Sequence, residues 1–320
     1  MLQQTRVETV KPYFGRWVER FPTLPVLAEA ALDDVLKAWE GLGYYSRARN
    51  FHAAVREVAR GHGGTVPDDP IAFRALPGVG EYTAGAVMSI AFGRAAPAVD
   101  GNVKRVFARL LDDPAPSARV HRDLAGRLAE GERPGDLNQS LMELGATVCT
   151  PRQPACDACP LDRFCASRAA GTQALRPAPR SRPPLPVEEH GVALLELEGR
   201  FLVVRRPDEG RLAGLWEFPA RLRTAGETSH EAARRAVRER CGLAVEVAGD
   251  LGVVRHDFSH VRVRYHVHKT RPTGPYLTDR NDDPQSIRWL RLDEFDSVAL
   301  PSAQQKIARL IARYPSPSLQ

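Results

Sequence analysis

The sequence has no apolar run approaching the ~18–20 residues that cross a bilayer. Its start, Met1-Leu2-Gln3-Gln4-Thr5-Arg6, lacks the charged-then-apolar order of a secretory signal. A cytoplasmic setting without a membrane partner is therefore expected. Cysteine is scarce, five in 320 residues, and the odd count argues against a disulfide framework. Neither sign of charge dominates: 45 Lys and Arg stand against 39 Asp and Glu, a net +6. That mild excess is compatible with a polyanionic partner but does not demand one. No internal repeat stands out. Hydrophobic residues reach 43%, an ordinary globular share, and the length suits two domains better than one.

The scarce cysteines are concentrated. Cys149, Cys156, Cys159 and Cys165 succeed one another as C-x6-C-x2-C-x5-C. Four thiolates in one short segment can hold zinc or a [4Fe–4S] cluster, and the ligand count leaves both open. Cys241 stands apart and reads as a small buried hydrophobe.

Prolines divide the chain. Pro177, Pro179, Pro183, Pro184 and Pro186 crowd into residues 171–186, where missing amide donors favour an extended linker. Before it the pattern is helical. Leu32, Val35, Leu36 and Trp39 recur three or four apart and predict a helix over Leu32–Leu42. Further helices are expected over Thr83–Phe92 and from Asn102 onward. After the linker the period shortens. Val192–Leu197 and Phe201–Val204 flank a Gly199 turn and predict a hairpin. Thr228-Ser229-His230-Glu231 has the form of a capping box opening a helix to about Arg240. Alternation of Val261, Val263, Tyr265 and Val267 predicts a strand. The first half is expected to be all-α, the second α+β.

Leu76-Pro77-Gly78-Val79-Gly80 precedes the second of these helices. Two glycines one residue apart permit a tight turn, and amides at a helix start make an anion site suited to a phosphate. Asp100 opens the next helix, a natural N-cap position. The pairing of this hairpin with a downstream Val99-Asp100 resembles the helix-hairpin-helix DNA glycosylase superfamily. The resemblance implies an aspartate beside the sugar of an extruded nucleotide, because the glycosidic bond is out of reach inside a stacked duplex. Tyr82 occupies the slot where related glycosylase/lyases carry a Schiff-base lysine, so the chain resembles the monofunctional branch, in which water completes the reaction.

Met1–Val7 and Gly41–Asn50 resemble the adenine-pocket and duplex-wedge segments of the MutY family. This resemblance implies that Asp100, Tyr82 and Asn102 are the catalytic residues. It implies too that Gln3, Gln4, Thr5, Tyr44, Leu76, Gly78, Val79, Gly80 and Lys104 contact DNA, with Tyr44 as a stacking wedge. Lys104 and Arg105 are candidates for phosphate neutralisation, as are Arg152 and Arg163. The four cysteines match the family's cluster loop and would hold one [4Fe–4S] cluster.

Gly214-Leu215-Trp216-Glu217-Phe218-Pro219 and the segment Arg235–Leu243 resemble a Nudix domain. Glu227, Arg235, Glu239 and Gly242 fit its signature. Ala236 and Arg240 replace two metal-binding glutamates and Arg221 replaces the leading glycine, which implies loss of the magnesium site. Phe258-Ser259-His260 resembles the MutY loop that reads 8-oxoguanine, where a hydroxyl distinguishes the oxidised base edge from guanine.

The expected architecture is therefore multidomain. An all-α helix-hairpin-helix glycosylase domain spans 1–170, with its [4Fe–4S] cluster loop at 149–165. A linker comes next at 171–186, then an α+β Nudix-like 8-oxoguanine recognition domain at 187–320. The implied activity is hydrolytic removal of adenine mispaired with 8-oxoguanine or guanine, on double-stranded DNA, by a nucleoid-associated monomer. The family's general-acid glutamate lies upstream of the motif at Met1. Either the true start is expected further upstream, or the chain is expected to bind lesions without turnover. Nucleotide-pool hydrolysis is disfavoured by Ala236 and Arg240, and lyase chemistry by Tyr82.

Overall fold

The computed structural model describes residues 1–3, 5–179, 183–274 and 286–313, so Gln4 lies outside the described residues. The chain packs as two compact units, one of Met1–Arg56 with Pro184–Gln320, the other of Glu57–Pro183. No helix among the described residues is long and apolar enough to cross a membrane.

The N-terminal helices are α1 (Val7–Arg20), α2 (Leu24–Glu29), α3 (Leu32–Ala38) and α4 (Ser46–Gly61), whose last turn continues into the second unit. Val10, Trp17, Val35, Leu36 and Trp39 share a core with Leu215 and Ala299 from the C-terminal segment. Apolar burial thus draws the first 56 residues to the C-terminal module, across the boundary expected from the linker. The helix expected over Leu32–Leu42 stops at Ala38. Gly41 (φ 96°), Gly43 (φ 70°) and Tyr44 (φ 47°) leave the right-handed region and turn the chain there.

The second unit contains α5 (Pro70–Ala75), α6 (Glu81–Phe92), α7 (Gly101–Leu110), α8 (Ala118–Ala129), α9 (Pro134–Glu143) and α10 (Ala166–Ala170). Asp69 caps α5 by accepting from the Ala72 amide at 2.8 Å, and Ser117 caps α8. Residues 94–100 cross α6 at close range. A Cβ on Gly85 would lie 1.9 Å from the Pro97 carbonyl oxygen, so only glycine admits the crossing. Asn138, 1% exposed, pins the same segment. Its Oδ1 accepts from the Ala98 amide (3.1 Å), and its Nδ2 donates to the Ala96 carbonyl and Ser89 Oγ (2.8 Å each). The start of α7 is thereby fixed.

The linker begins later than expected. Asp112 accepts from Ser167 Oγ at 3.1 Å and from Thr172 Oγ1, and pairs with Arg176 Nε at 2.8 Å. The Ala178 amide bonds the Pro114 carbonyl, which holds the chain to this unit well past Gly171.

The C-terminal segment forms a mixed sheet in the order β3-β2-β1-β6-β5, with β4 paired to β1 and β7 to β2. Its strands are β1 (Val187–Leu197), β2 (Arg200–Arg205), β3 (Trp216–Glu217), β4 (Ala220–Leu222), β5 (Val245–Asp257), β6 (Arg262–Pro272) and β7 (Ile287–Leu290). β1 and β6 run parallel, and the expected β1–β2 hairpin closes on Leu197↔Arg200 with Gly199 at φ 73°. Helix α11 (Ser229–Cys241) carries the expected capping box between Thr228 and Glu231. It packs Ala233, Val237 and Cys241 on Ala193, Leu195 and Leu202. Helix α12 (Ser302–Arg313) buries Ile307 and Ile311 against the opposite core.

Gly85→Ala is expected to lower unfolding free energy by about 1–3 kcal/mol, the usual cost of forcing atoms into a packed crossing. Urea denaturation of wild type and variant measures it; equal midpoints would mean that the crossing yields without strain.

Candidate functional site

The hairpin between α5 and α6 is closed by the Val79 amide donating to the Leu76 carbonyl at 3.1 Å, with Gly78 at φ 76°. Leu76 is buried and anchors it, while Gly78 is exposed and Gly80 lies at the start of α6. Gly80 is the N-cap of α6 and has no side chain to bond the first-turn amides. Those donors and the positive helix end make the hairpin an anion cradle.

Asp100 caps α7, its Oδ1 accepting from the Val103 amide at 2.8 Å. Its Oδ2 accepts from Asn102 Nδ2 at 3.0 Å. Asn102 Oδ1 in turn accepts from Arg105 Nη2 at 2.9 Å. Arg105 also donates to the Gly145 carbonyl (2.6 Å) and, through Nε, to the Cys149 carbonyl (2.8 Å). A continuous hydrogen-bond chain therefore runs from the carboxylate to the first cysteine. Arg105 is committed to it, which corrects the expectation that its guanidinium faces a phosphate. Lys104 is exposed and remains suited to that role.

Tyr82, in the first turn of α6, is half-buried and donates to Met142 Sδ at 3.0 Å. Burial, and then the nearby Asp100 charge, push its hydroxyl pKa up. It remains a neutral phenol at physiological pH, with no amine to offer. Asp100, Tyr82 and Asn102 are thus brought to one locality.

The turn Leu144–Val148 is π-helical and comes so close to α7 that a Cβ on Gly145 would sit 2.6 Å from Asn102 Cβ. The four cysteine side chains beyond it are part-buried and form no disulfide. Burial pushes the Cys159 thiol up, the Leu161 amide opposes this, and the nearby Cys149, Cys165 and Cys156 push it further. The four sulfurs are close enough to influence one another's charge, a thiolate donor set of the kind an iron–sulfur cluster takes. Beside them lies Arg109, 2% exposed. It donates to Cys149 Sγ (3.2 Å) and to the carbonyls of Thr150 (2.7 Å), Pro151 (3.1 Å) and Arg176 (3.1 Å). A buried guanidinium beside thiolates offsets their negative charge. Sequence reading missed Arg109; within α7 it is one basic residue among several, and only its burial singles it out. Arg152 and Arg163 are exposed on the loop.

In the other unit, Arg47 gathers the N-terminal segment. It donates to the carbonyls of Met1 (3.0 Å), Gln3 and Gly43 (3.2 Å) and to Thr5 Oγ1 (3.2 Å). Its guanidinium lies 5.5 Å from the Tyr44 ring centroid. Tyr44 is 50% exposed whereas Tyr45 is buried at 4%, so the adjacent tyrosines have opposite surroundings. Glu40, a carboxylate near the wedge segment, accepts from Lys37 Nζ and the Leu300 amide (2.7 Å each) and is thereby committed to structure.

The Nudix-like frame holds its acids against arginines. Glu227 is gripped by Arg235 at 2.8 and 2.9 Å, and Glu239 by Arg221 at 2.7 Å. Glu217, 4% exposed, faces Arg206 and Arg240. Burial pushes its carboxyl up, against the pull of those cations. Guanidiniums fill the places where a divalent ion would need free oxygens. Between β5 and β6 the turn closes with the Phe258 amide donating to the Val261 carbonyl at 2.8 Å, leaving Ser259 and His260 exposed. Phe258 packs edge-on to His256 at 4.6 Å and under the Arg211 guanidinium at 5.3 Å. Arg211 is in turn held by Glu188 through bonds of 2.9 and 3.0 Å.

Residues 1–127 match the HhH-GPD superfamily of base excision DNA repair proteins, and residues 191–310 match the NUDIX domain. Fold and site together define a DNA glycosylase carrying a C-terminal Nudix-fold domain. The chain is 37% identical to an adenine DNA glycosylase of Rattus norvegicus, over 97% of this chain and 70% of that protein. It is 42% identical to one of Mycobacterium tuberculosis, over 65% of this chain and 68% of that one. It belongs to the adenine DNA glycosylase (MutY) family.

Arg109→Ala should cost about 3 kcal/mol or more, since it strands several buried acceptors at once. Arg109→Lys should recover only part, lacking the planar fork; denaturant melts of the three proteins check this order. The Arg211 guanidinium, through its hydrogen bonds, holds Glu188 down at about 2, below its ordinary 4.5. A depressed carboxylate stabilises the fold above pH 4.5, and that contribution is lost as pH falls toward 2. Wild type should therefore lose on the order of 1 kcal/mol more than Glu188→Gln between about pH 6 and pH 3. Parallel stability curves for the two proteins would remove Glu188 as the cause.

Proposed function

We propose that this chain is a monofunctional glycosylase that hydrolyses the N-glycosidic bond of adenine paired with 8-oxoguanine or guanine in double-stranded DNA. The observation that carries the reading is the Asp100 carboxylate, held by the Val103 amide and Asn102 beside a tyrosine rather than a lysine. In the proposed reaction the duplex is held at the hairpin of Leu76, Gly78, Val79 and Gly80 and by Lys104, with the adenosine extruded. As the C1′–N9 bond breaks, its electron pair leaves with the base and positive charge develops on the sugar. Asp100 stabilises that charge, an effect typically worth a few kcal/mol in a preorganised site. Water oxygen then bonds C1′ and loses one proton, and the departed base takes up one, giving an abasic site and free adenine. Asn102 fixes the orientation of Asp100, and Tyr82 borders the sugar without forming an imine.

Gln3, Gln4, Thr5 and Tyr44 are assigned to the duplex around the target adenine. Phe258, Ser259 and His260 are assigned to the opposite base: Ser259 and His260 are exposed at a turn braced by Arg211 and Glu188, and the Ser259 hydroxyl can accept from N7–H of 8-oxoguanine. By this division, 1–170 excises and 187–320 reads the lesion. Cys149, Cys156, Cys159 and Cys165 would hold a [4Fe–4S] cluster, which when bound supplies a rigid cross-link of the loop. Arg152 and Arg163 then face phosphates from that loop.

Single-turnover assays on an adenine:8-oxoguanine duplex should give abasic sites, and Asp100→Asn should slow them by about 10²–10³-fold. Borohydride should trap no covalent DNA adduct. Tight mispair binding with no abasic product would favour recognition without turnover, and a trapped adduct would end the monofunctional assignment.

A further inference from the structure

His230, Asp250 and His268 converge from three elements on the Nudix-like sheet. Asp250 (β5) and His268 (β6) are cross-strand partners in register, and β-bulges flank Asp250 on both sides. His230 is the second residue of α11. His268 Nδ1 lies 2.6 Å from Asp250 Oδ1, and His230 Nε2 lies 2.8 Å from the same oxygen. All three donor atoms lie within 4.8 Å of one another. The imidazole rings stand edge to face, 4.4 Å apart at 88°. His268 is buried to 3% exposure, whereas His230 and Asp250 open to solvent.

We infer that these three side chains form a binding site for a divalent transition ion of the zinc type, separate from the four cysteines. Two imidazole nitrogens and one carboxylate oxygen are the donor set that zinc accepts, with remaining positions left to water. Zinc–nitrogen and zinc–oxygen bonds near 2.0–2.2 Å put ligand atoms roughly 3.3 Å apart, so the contacts of His268 and His230 to Asp250, now 2.6 and 2.8 Å, need to open by well under an ångström. Entry is direct, because two of the three ligands are exposed. The ion would tie the first turn of α11 to the β5–β6 pair. Without an ion, the same groups form a hydrogen-bonded bracket around Asp250.

Zinc titration of the full chain, monitored by calorimetry and by cobalt(II) absorption, separates these readings. His230 is exposed, so His230→Ala should retain the fold. His230→Gln can still donate to Asp250 but is a poor zinc ligand. Wild type should bind one equivalent more than either variant, or bind it at least about tenfold more tightly. The corresponding cobalt signal should lack thiolate-to-metal charge transfer, which distinguishes it from any uptake at cysteine. Zinc should raise the melting temperature of wild type by more than that of His230→Gln. Equal stoichiometry and affinity in all three proteins, or a signal carrying thiolate character throughout, would overturn the site.

Discussion

The Asp100 carboxylate is held in place without a cation against it, and the packing around α7 in the second unit produces that state. Among the described residues, Asp100 accepts from neutral donors, a backbone amide and the Asn102 amide. The Arg105 guanidinium touches Asn102 rather than Asp100. The cation thus orients the carboxylate through an intermediary and leaves its charge free for a ligand. Gly85 and Gly145 serve the same end by removing side chains where backbone and helix must nearly touch. Each is a packing requirement with a chemical consequence several residues away.

The cysteine loop belongs to this scheme. Arg105 and Arg109 both project from α7 to the loop, one to the Cys149 carbonyl and the other to its sulfur and the next two carbonyls. A loop with little regular structure cannot satisfy its own backbone, so it borrows donors from a helix. Order in the loop and order at Asp100 are therefore coupled through a single helix.

The C-terminal module is held by a different set of contacts. Its sheet and capped helix keep the geometry of a Nudix fold, but guanidiniums occupy the places around Glu217, Glu227 and Glu239. Arginine in such a frame does two things: it satisfies buried or crowded carboxylates and it removes the need for a cation. A further arginine, Arg211, supports the exposed turn at Phe258 instead. The acids of this frame are thus held by guanidiniums.

Much of this was legible in the sequence because local physics decides it. The Thr228 capping box, the Gly199 turn, the Asp100 cap and the glycine pair before α6 each depend on residues within a few positions of one another. The cysteine loop and the Nudix frame were legible instead through resemblance to known families. Tertiary structure alone decided the rest. It ended α3 at Ala38, where glycines downstream take positive φ, and fastened the proline-rich segment through Asp112. It turned Arg105 and Arg109 inward, separated Tyr44 from Tyr45 by exposure, and joined the first 56 residues to the C-terminal module. Those outcomes depend on which apolar faces meet and which buried carbonyls lack a donor. Both are properties of contacts between distant segments, which spacing along the chain does not encode.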